Sequence, residues 1–397
     1  MSAWIDAHPM GTLVGDPLPG SPELAARGNV VIGVRTVTLT NPGQADILAG
    51  LSSGRFPRRD RSLQVEVWYP ALPGSDDSCA VYTDHMGRAD WGNLEAYEFQ
   101  GRAFRDAEPN PAAGPCPAVV ISHGFSGSRV LFSNLAENLA SKGYVVLAIG
   151  HTGDTYTDFP TVGAQECALV HRSLDQRFVI SQIAQLNKEG FLRGMLLPDQ
   201  VALIGFSMGG YGTLRTIGGR LNVKALEQFK ALAEELREAP DFHGLKTVKA
   251  AVLFAPASFW HDAAHAEDID LPTLWVCGSA DRMVGYANVR SACQQATRSE
   301  RTLITYEGCG HSIACNPAPA LAQARGWEIY RRWADSVWDT RRLNSLNAHF
   351  VTAFLDRHLR YDAAKATYLA PAAPGDAIVG FPADTTAGIR IEYFPKA

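Results

Sequence analysis

Short, wholly apolar segments recur through the middle of this chain, and helical segments separate most of them. Strands without polar alternation are typical of parallel sheets that are buried on both faces, and their alternation with helices predicts that helices cover both faces. We therefore expect an α/β fold with a mostly parallel central sheet flanked by helices. The segments predicted to form this sheet are 118–122, 144–149, 201–205, 250–254, 273–277 and 302–306.

Other regions do not follow this alternation of apolar strands and helices. Two alternating, β-branched segments precede the apolar ones and predict an opening antiparallel pair of strands at 30–39 and 63–69. The expected organisation is an irregular N-terminal arm over 1–28, an α/β domain over 29–369 and a C-terminal tail over 370–397. Within the domain, two segments stand out. Residues 73–117 are irregular and are expected to supply part of a cleft wall, and the helical, charged stretch at about 220–247 is expected to form an inserted cap.

Charge and cysteine content narrow the range of partners. The 397 residues carry a formal net charge of −5 without a long Lys/Arg run, which argues against nucleic acid and anionic membranes as partners. No stretch of about 18 apolar residues occurs, so no membrane span is expected. Seven cysteines at scattered spacings do not resemble a disulfide framework, and the first residues do not resemble a leader peptide. Reduced thiols and a cytoplasmic location are the expectation, and the oligomeric state is left open.

The strongest motif is G-x-S-x-G over residues 205–209. An apolar strand runs into it and a helix candidate at 211–217 leaves it, which is the context that gives the motif its meaning. Glycines on both sides allow a turn that is too sharp for side chains. Such a turn exposes the serine above the carboxyl end of the sheet, so Ser207 is predicted to be a nucleophile.

A serine hydroxyl needs a base to remove its proton, and the base needs an acid to orient it. Asp281 and His311 follow the next suitable strands in Gly-rich loops, in the order serine, aspartate, histidine. They are predicted to complete a triad with Ser207. The competing residues are in less suitable positions and are interpreted as surface or structural groups: Asp262, Asp268, Asp270, His261, His265, His123, His151 and His171.

Cys309, His311 and Cys315 lie close together in the sequence and raise the possibility of a zinc site. Structural zinc usually has a fourth ligand and paired spacing, and His311 has a role in the triad. We therefore expect neither a metal nor a cofactor.

The predicted nucleophile also needs donors for an oxyanion and a pocket for its substrate. Two backbone N–H groups serve as the oxyanion hole in this architecture, and the predicted donors are Met208 and Phe125. Phe206, Phe259 and Trp260 are predicted to line the pocket. Because these side chains are apolar and no charge flanks the serine in sequence, they favour an uncharged, fairly hydrophobic acyl or alkyl group.

At these residues the chain resembles the α/β-hydrolase superfamily. Residues 63–70 and 122–127 further resemble the branch of platelet-activating-factor acetylhydrolase-like and dienelactone hydrolase-like esterases, and the Ser-Met-Gly-Gly elbow is similar to that of cutinase-like polyesterases. The resemblance implies a serine carboxylesterase that acts on short to medium or aromatic esters through an acyl-enzyme on Ser207. One departure is that dienelactone hydrolases use a cysteine nucleophile.

Other functions use the same machinery. A serine peptidase or amidase would need an anchor for a peptide terminus, which the sequence does not reveal. A C–C bond hydrolase or an acyltransferase is a second possibility. A non-catalytic binding protein is disfavoured because such proteins usually lose a triad member, whereas Ser207, Asp281 and His311 are all present.

Overall fold

The six apolar segments form six adjacent parallel strands in the computed structural model of the chain. The structure describes residues 15–73, 79–237, 245–261, 266 and 268–397. Twelve strands form within these residues, and ten of them make one sheet in the order β12-β11-β10-β9-β8-β6-β7-β2-β1-β5. In chain order they are β1 (Ile32–Ala45), β2 (Arg58–Pro70), β3 (Val81–Met86), β4 (Glu95–Gln100), β5 (Phe104–Arg105), β6 (Cys116–Ser122), β7 (Val145–Gly150), β8 (Leu196–Phe206), β9 (Val248–Phe254), β10 (Thr273–Gly278), β11 (Arg301–Tyr306) and β12 (Ile389–Phe394).

One strand toward each edge of the sheet runs antiparallel to the parallel centre. At one edge β2 pairs antiparallel with both β7 and β1, as the alternating pattern predicted. At the other edge β12 pairs antiparallel with β11, from Arg301 opposite Phe394 to Tyr306 opposite Ile389. The segment 370–397, expected to be a separate tail, therefore contributes a strand to the main sheet.

Helices cover both faces of the sheet, and every residue of β6, β7, β10 and β11 is therefore buried. The helix of residues 133–141 packs against that of residues 340–359, and the helix of residues 164–188 packs against that of residues 208–216. The α-helices are α1 (Ile47–Ser53), α2 (Ser133–Ser141), α3 (Ala164–Lys188), α4 (Met208–Thr216), α5 (Val223–Gln228), α6 (Ala233–Arg237), α7 (Tyr286–Gln295), α8 (Ala320–Ala324), α9 (Trp327–Tyr330) and α10 (Thr340–Leu359). Within the described residues, none of them is long and apolar enough to cross a membrane.

The described part of the predicted cap forms the short helices α5 and α6. Helix α6 contacts α3, and its Glu235 forms an ion pair with Arg58 of β2. Phe229, which follows α5, packs against Trp260 with ring centroids 6.4 Å apart. Arg215, on α4, donates to the carbonyl oxygen of Leu236 at 2.8 Å. Residues 238–244, which also belong to the expected cap, lie outside the described residues.

The segment expected to be irregular, 73–117, contains regular structure. Its strands β3 and β4 form an antiparallel hairpin in register from Val81 opposite Gln100 to Met86 opposite Glu95. The connection between the two strands holds a short 3-10 helix at Ala89–Trp91. This connection reaches the carboxyl end of the parallel strands, where it forms part of a cleft wall, as the sequence suggested.

Candidate functional site

Ser207 lies at a sharp turn between β8 and α4, in a backbone conformation that non-glycine residues rarely adopt. Its φ is 54° and its ψ is −114°. The turn is held by three backbone bonds of 3.0 Å: Ser207 N–H donates to the carbonyl oxygen of Phe254, and its own carbonyl accepts from the N–H groups of Tyr211 and Ala257. Strained backbone of this kind persists only where its surroundings over-determine it.

The glycines around Ser207 are required by the closeness of neighbouring backbone. A Cβ on Gly205 would lie 2.4 Å from the carbonyl oxygen of Gly209, and a Cβ on Gly209 would lie 2.1 Å from that of Ser122. Real Cβ atoms do not approach oxygen so closely. The glycines of the motif thus allow β6, β8 and the first turn of α4 to pack together beneath the serine.

His311 and Asp281 are hydrogen-bonded. The Nδ1 atom of His311 lies 2.7 Å from Oδ2 of Asp281. The other carboxylate oxygen of Asp281 accepts from the N–H groups of Met283 and Val284 at 2.8 and 3.2 Å. The Asp281 side chain is fully buried, whereas the imidazole is partly exposed and packs against the Phe206 ring with centroids 5.0 Å apart.

Ser207 and His311 line the same cleft, which has a volume of about 960 Å³. Each residue of the predicted triad follows the end of a parallel strand: β8 leads to Ser207, β10 to Asp281 and β11 to the loop that holds His311. In this arrangement a base held by a buried carboxylate faces the same space as the serine. That is the arrangement which general-base activation of a hydroxyl requires.

The two residues predicted to form an oxyanion hole also meet beside Ser207. Met208 is the first residue of α4, and the first N–H groups of a helix have no partner within the helix. The loop that holds Phe125 approaches from the other side: a Cβ on Gly124 would lie 3.4 Å from Cβ of Ser207. Phe125 and Met208 both line the cleft.

A buried arginine supports the loop that holds Phe125. Arg172, on α3, is fully buried and donates to the carbonyl oxygens of His123 and Gly124, the latter at 2.8 Å. Its Nε also donates to Asp154 at 2.7 Å, so the buried charge is paired. A guanidinium is suited to this role because its planar array of donors can hold several oxygens at once. Arg172 is not among the residues predicted from the sequence, although an arginine in a helix with many buried residues is an unusual signal.

A second buried network lies below the same loop. His151 contacts Ser122 Oγ through Nε2 and Asp175 Oδ2 through Nδ1, both at 2.8 Å. Arg61 donates two bonds of 2.7 Å to Asp175. Burial and the nearby Arg172 charge lower the pKa of His151 to about 3, so the ring is neutral at physiological pH. His151 therefore has a structural role here, as the sequence suggested.

The cleft has an aromatic lining that the sequence predicted only in part. Phe206, Phe259 and Trp260 all line it, and Phe259 is 41% exposed. The cleft is also lined by aromatic side chains that were not predicted, namely Trp91, Tyr156 and Trp327. These come from the hairpin connection, from the segment after β7 and from α9, so nothing in the sequence around Ser207 indicates them.

Three arginines line the same cleft beside the apolar side chains that were predicted. Arg88 pairs with Asp90 through two bonds of 2.8 and 2.6 Å, and Arg331 pairs with Glu328 at 3.0 Å. The third is Arg332. The sequence near Ser207 does not indicate these charges, because the three side chains come from connections that are distant in the chain.

The competing residues do not enter this arrangement. His261 packs against Tyr211 with ring centroids 5.2 Å apart, and Asp268 pairs with Arg220 at 2.8 Å. Asp262 and His265 lie outside the described residues. Among the residues that are described, no group of three His, Cys, Asp or Glu side chains could hold a metal ion, and Cys309 and Cys315 are buried free thiols.

Comparison with known proteins identifies similar chains. A family model described as PET hydrolase-like matches residues 105–235. Cutinase est2 of Thermobifida alba is 32% identical over 164 residues, which is 41% of this chain and 41% of that protein. Cutinase 2 of Thermobifida cellulosilytica is 32% identical over 108 residues, covering 27% of this chain and 37% of that protein. The chain thus matches about two fifths of the length of these curated relatives.

A solved structure extends the similarity to nearly the whole chain. A ferulic acid esterase from Streptomyces cinnamoneus superposes with a TM-score of 0.62 at 20% identity, covering 94% of this chain and 99% of that one. At this identity the likeness concerns the fold alone. The narrower resemblance to platelet-activating-factor acetylhydrolase-like and dienelactone hydrolase-like esterases stays a prediction. The sheet topology and these similarities confirm the broader expectation, and the chain has the fold of the α/β-hydrolase superfamily.

Proposed function

We propose that this chain is a serine carboxylesterase that works through an acyl-enzyme on Ser207. The observation that carries the proposal is the 2.7 Å bond between the buried Asp281 and His311, at the rim of the cleft that Ser207 also lines. In this proposal His311 is the general base, and Asp281 orients its ring and stabilises the imidazolium. The backbone N–H groups of Met208 and Phe125 stabilise the oxyanion.

The reaction proceeds in two halves. Ser207 Oγ attacks the ester carbonyl while Nε2 of His311 takes its proton, and the alcohol leaves with that proton as the tetrahedral intermediate collapses to an acyl-serine. Water then attacks the acyl-serine while His311 takes a proton from it. Collapse of the second intermediate returns that proton to Ser207 and releases the carboxylic acid. No metal, oxidant or cofactor enters either half.

Similar proteins support an ester as the substrate. The matching family model is described as PET hydrolase-like, the matching curated proteins are cutinases, and the solved structure is a ferulic acid esterase. All these names indicate hydrolysis of carboxylic esters. The aromatic lining of the cleft suits short to medium or aromatic ester groups, because aryl and alkyl surface is buried there. Neither peptidase nor C–C bond hydrolase activity is favoured by any of these names.

The test is hydrolysis of 4-nitrophenyl acetate, butyrate and octanoate by the wild type and by Ser207→Ala. We expect turnover by the wild type and near-background rates for the variant. Ser336→Ala is the matched control, since this serine also lines the cleft and has no assigned role. A fluorophosphonate probe should add its mass to Ser207 in the wild type and in Ser336→Ala only. Full activity of Ser207→Ala would overturn the assignment.

Two further substrates separate the alternatives. A peptide 4-nitroanilide reports on amidase activity, and an aryl β-diketone reports on C–C bond hydrolysis. We expect the nitrophenyl esters to be hydrolysed with far higher kcat/KM than either. If the esters are inert and one of the others is hydrolysed, the same triad serves that reaction and the esterase proposal fails.

We also propose that the protein acts in a reducing compartment such as the cytoplasm. All seven cysteines are free thiols in the structure, and six of them are buried. Mass analysis of protein isolated from its source tests this. Alkylation of all seven cysteines under denaturing conditions without reductant is expected, and any disulfide would contradict the proposal.

A further inference from the structure

The third arginine of the cleft, Arg332, differs from the other two in its surroundings. Arg88 and Arg331 are each paired with a carboxylate, as described above. Among the residues that the structure describes, no carboxylate lies within ion-pair distance of the Arg332 guanidinium. It is nevertheless only partly exposed, so it has lost part of its hydration without gaining a counter-ion.

Aromatic and cationic groups surround Arg332. Its guanidinium carbon lies 4.7 Å from the centre of the Trp91 ring, and that of Arg88 lies 4.0 Å from the same ring. Burial lowers the pKa of Arg332, the nearby Tyr156 opposes this shift, and the positive charges of Arg88 and Arg331 lower the pKa further. Three guanidinium groups thus lie near one another, and an anion bound at Arg332 would relieve repulsion between like charges.

Arg332 is also fixed close to the proposed base. The hydroxyl of Ser312, the residue after His311, donates to the carbonyl oxygens of Arg331 and Arg332 at 3.1 and 3.0 Å. The backbone of Arg332 is thereby tied to the loop that holds the imidazole. Arg332, Ser312, His311 and Ser207 all line the same cleft.

We propose that Arg332 is a specificity-determining residue that binds an anionic group, a carboxylate, on the ester substrate. This inference rests on the proposed function and adds to it a substrate class: monoesters that carry a free carboxylate away from the scissile carbonyl. A guanidinium matches a carboxylate because two parallel N–H donors meet two oxygens. Stacking on Trp91 holds the guanidinium plane in place, so less side-chain freedom is lost when the anion binds.

The kinetic test uses a matched pair of substrates. The 4-nitrophenyl monoesters of adipic and suberic acid carry a free carboxylate, and the same esters with that carboxyl converted to a carboxamide are neutral and of equal length. We expect the wild type to favour the carboxylate over the carboxamide in kcat/KM. Arg332→Met should lower that ratio about 10- to 100-fold, the effect of losing a charge-assisted hydrogen bond. Arg332→Lys, which keeps the charge but not the fork of donors, should retain part of the preference.

Arg325→Met is the matched control. It makes the same substitution and the same change of net charge, at an arginine that pairs with Glu95 and does not line the cleft. The preference should survive in this variant, and in the wild type it should decrease as salt concentration rises. Equal losses for both substrates in Arg332→Met would mean that Arg332 only packs against Trp91, and the proposal would be overturned. So would a wild type that hydrolyses both substrates without preferring the carboxylate.

Calorimetric binding separates this inference from the esterase proposal. Ser207→Ala should bind the adipate monoester more tightly than its carboxamide, and Ser207→Ala with Arg332→Met should bind the two equally. Tighter binding of the carboxylate with no hydrolysis by the wild type would support the anion site and overturn the esterase. Hydrolysis of neutral esters without any preference for the carboxylate would support the esterase and overturn the anion site.

Discussion

The imidazole of His311 is held by Asp281 through a bond of 2.7 Å to a carboxylate that is completely buried. Asp281→Asn should lower kcat for 4-nitrophenyl butyrate by about 10³- to 10⁴-fold with a much smaller change in KM. An amide cannot stabilise the imidazolium, and it can present an N–H to Nδ1 and so favour the wrong tautomer. Steady-state kinetics measure the effect.

Asp270→Asn controls for this experiment. Asp270 is exposed and precedes the same strand, β10, so its variant has the same change of charge at a distance from the triad. Circular dichroism should show native structure for both variants. An Asp281→Asn variant that keeps more than a tenth of the wild-type kcat would mean that another group orients His311.

The buried pair of Arg61 and Asp175 should make stability depend on pH. Burial alone would raise the pKa of Asp175, but Arg61 and His151 outweigh it and hold the pKa well below its usual value. Because the folded state lowers this pKa, the stabilisation is complete above about pH 4, the unfolded value, and is lost as pH falls further. Arg61→Met should lower the free energy of unfolding by about 3–5 kcal/mol at pH 7. Urea denaturation should show the full difference at about pH 7 and about pH 5, and a narrower difference at about pH 3.

Arg59→Met is the control for the same measurement. Arg59 lies on the same strand and pairs with Asp46 at 3.2 Å, but its side chain is 60% exposed. Exposed pairs contribute about 0–1 kcal/mol, so a small loss with little dependence on pH is expected. Equal losses in the two arginine variants would contradict the assigned role of the buried pair.

The thiols of the folded protein should resist alkylation. Burial raises the pKa of Cys167 to about 11 and that of Cys315 to about 12, and only the thiolate reacts. At pH 8, iodoacetamide should modify Cys79 first, since it alone is not fully buried. Intact mass should then show rapid addition at one site in the native protein and at all seven in 6 M guanidinium. Cys315 is a buried thiol that lines the cleft. Its rapid labelling in the native protein would mean that the cleft opens around this side chain.

The strand β12 should be part of the cooperative unit. Ile391 is 2% exposed and pairs with Ile304 of β11, so Ile391→Ala should lower the free energy of unfolding by about 2–4 kcal/mol. Tyr393 lies on the same strand and is 39% exposed, so Tyr393→Ala should cost much less. Chemical denaturation of both variants measures this. Similar small losses would mean that the tail is only loosely attached to the sheet.

The parts of the fold that could be predicted from sequence are those whose signals are local. The six central strands can be recognised in the sequence because strands that are buried on both faces contain few polar residues. The position of Ser207 follows from glycines that the turn requires, and the order of Asp281 and His311 follows from the order of the strands. The edge strand β12 was missed because it is short and follows Pro- and Gly-rich sequence, although Arg390 and Glu392 alternate with apolar residues.

The lining of the cleft could not be predicted for a different reason. Trp91 and Arg332 are 241 positions apart in the chain, and only the tertiary structure brings the guanidinium over the ring. The residues near Ser207 therefore do not indicate the arginines of the cleft. Helical periodicity at 223–237 predicts helices but not the surface on which they pack.

The cleft wall and the triad are built from different parts of the chain. Arg88 and Trp91 belong to the turn of a hairpin outside the main sheet, and Arg332 lies between β11 and α10, whereas Ser207 and His311 follow strands of the parallel centre. Insertions and substitutions in these two connections can accumulate without moving the strands that align the nucleophile and base. Changes in these connections would therefore alter what the cleft binds and leave the positions of Ser207 and His311 unchanged.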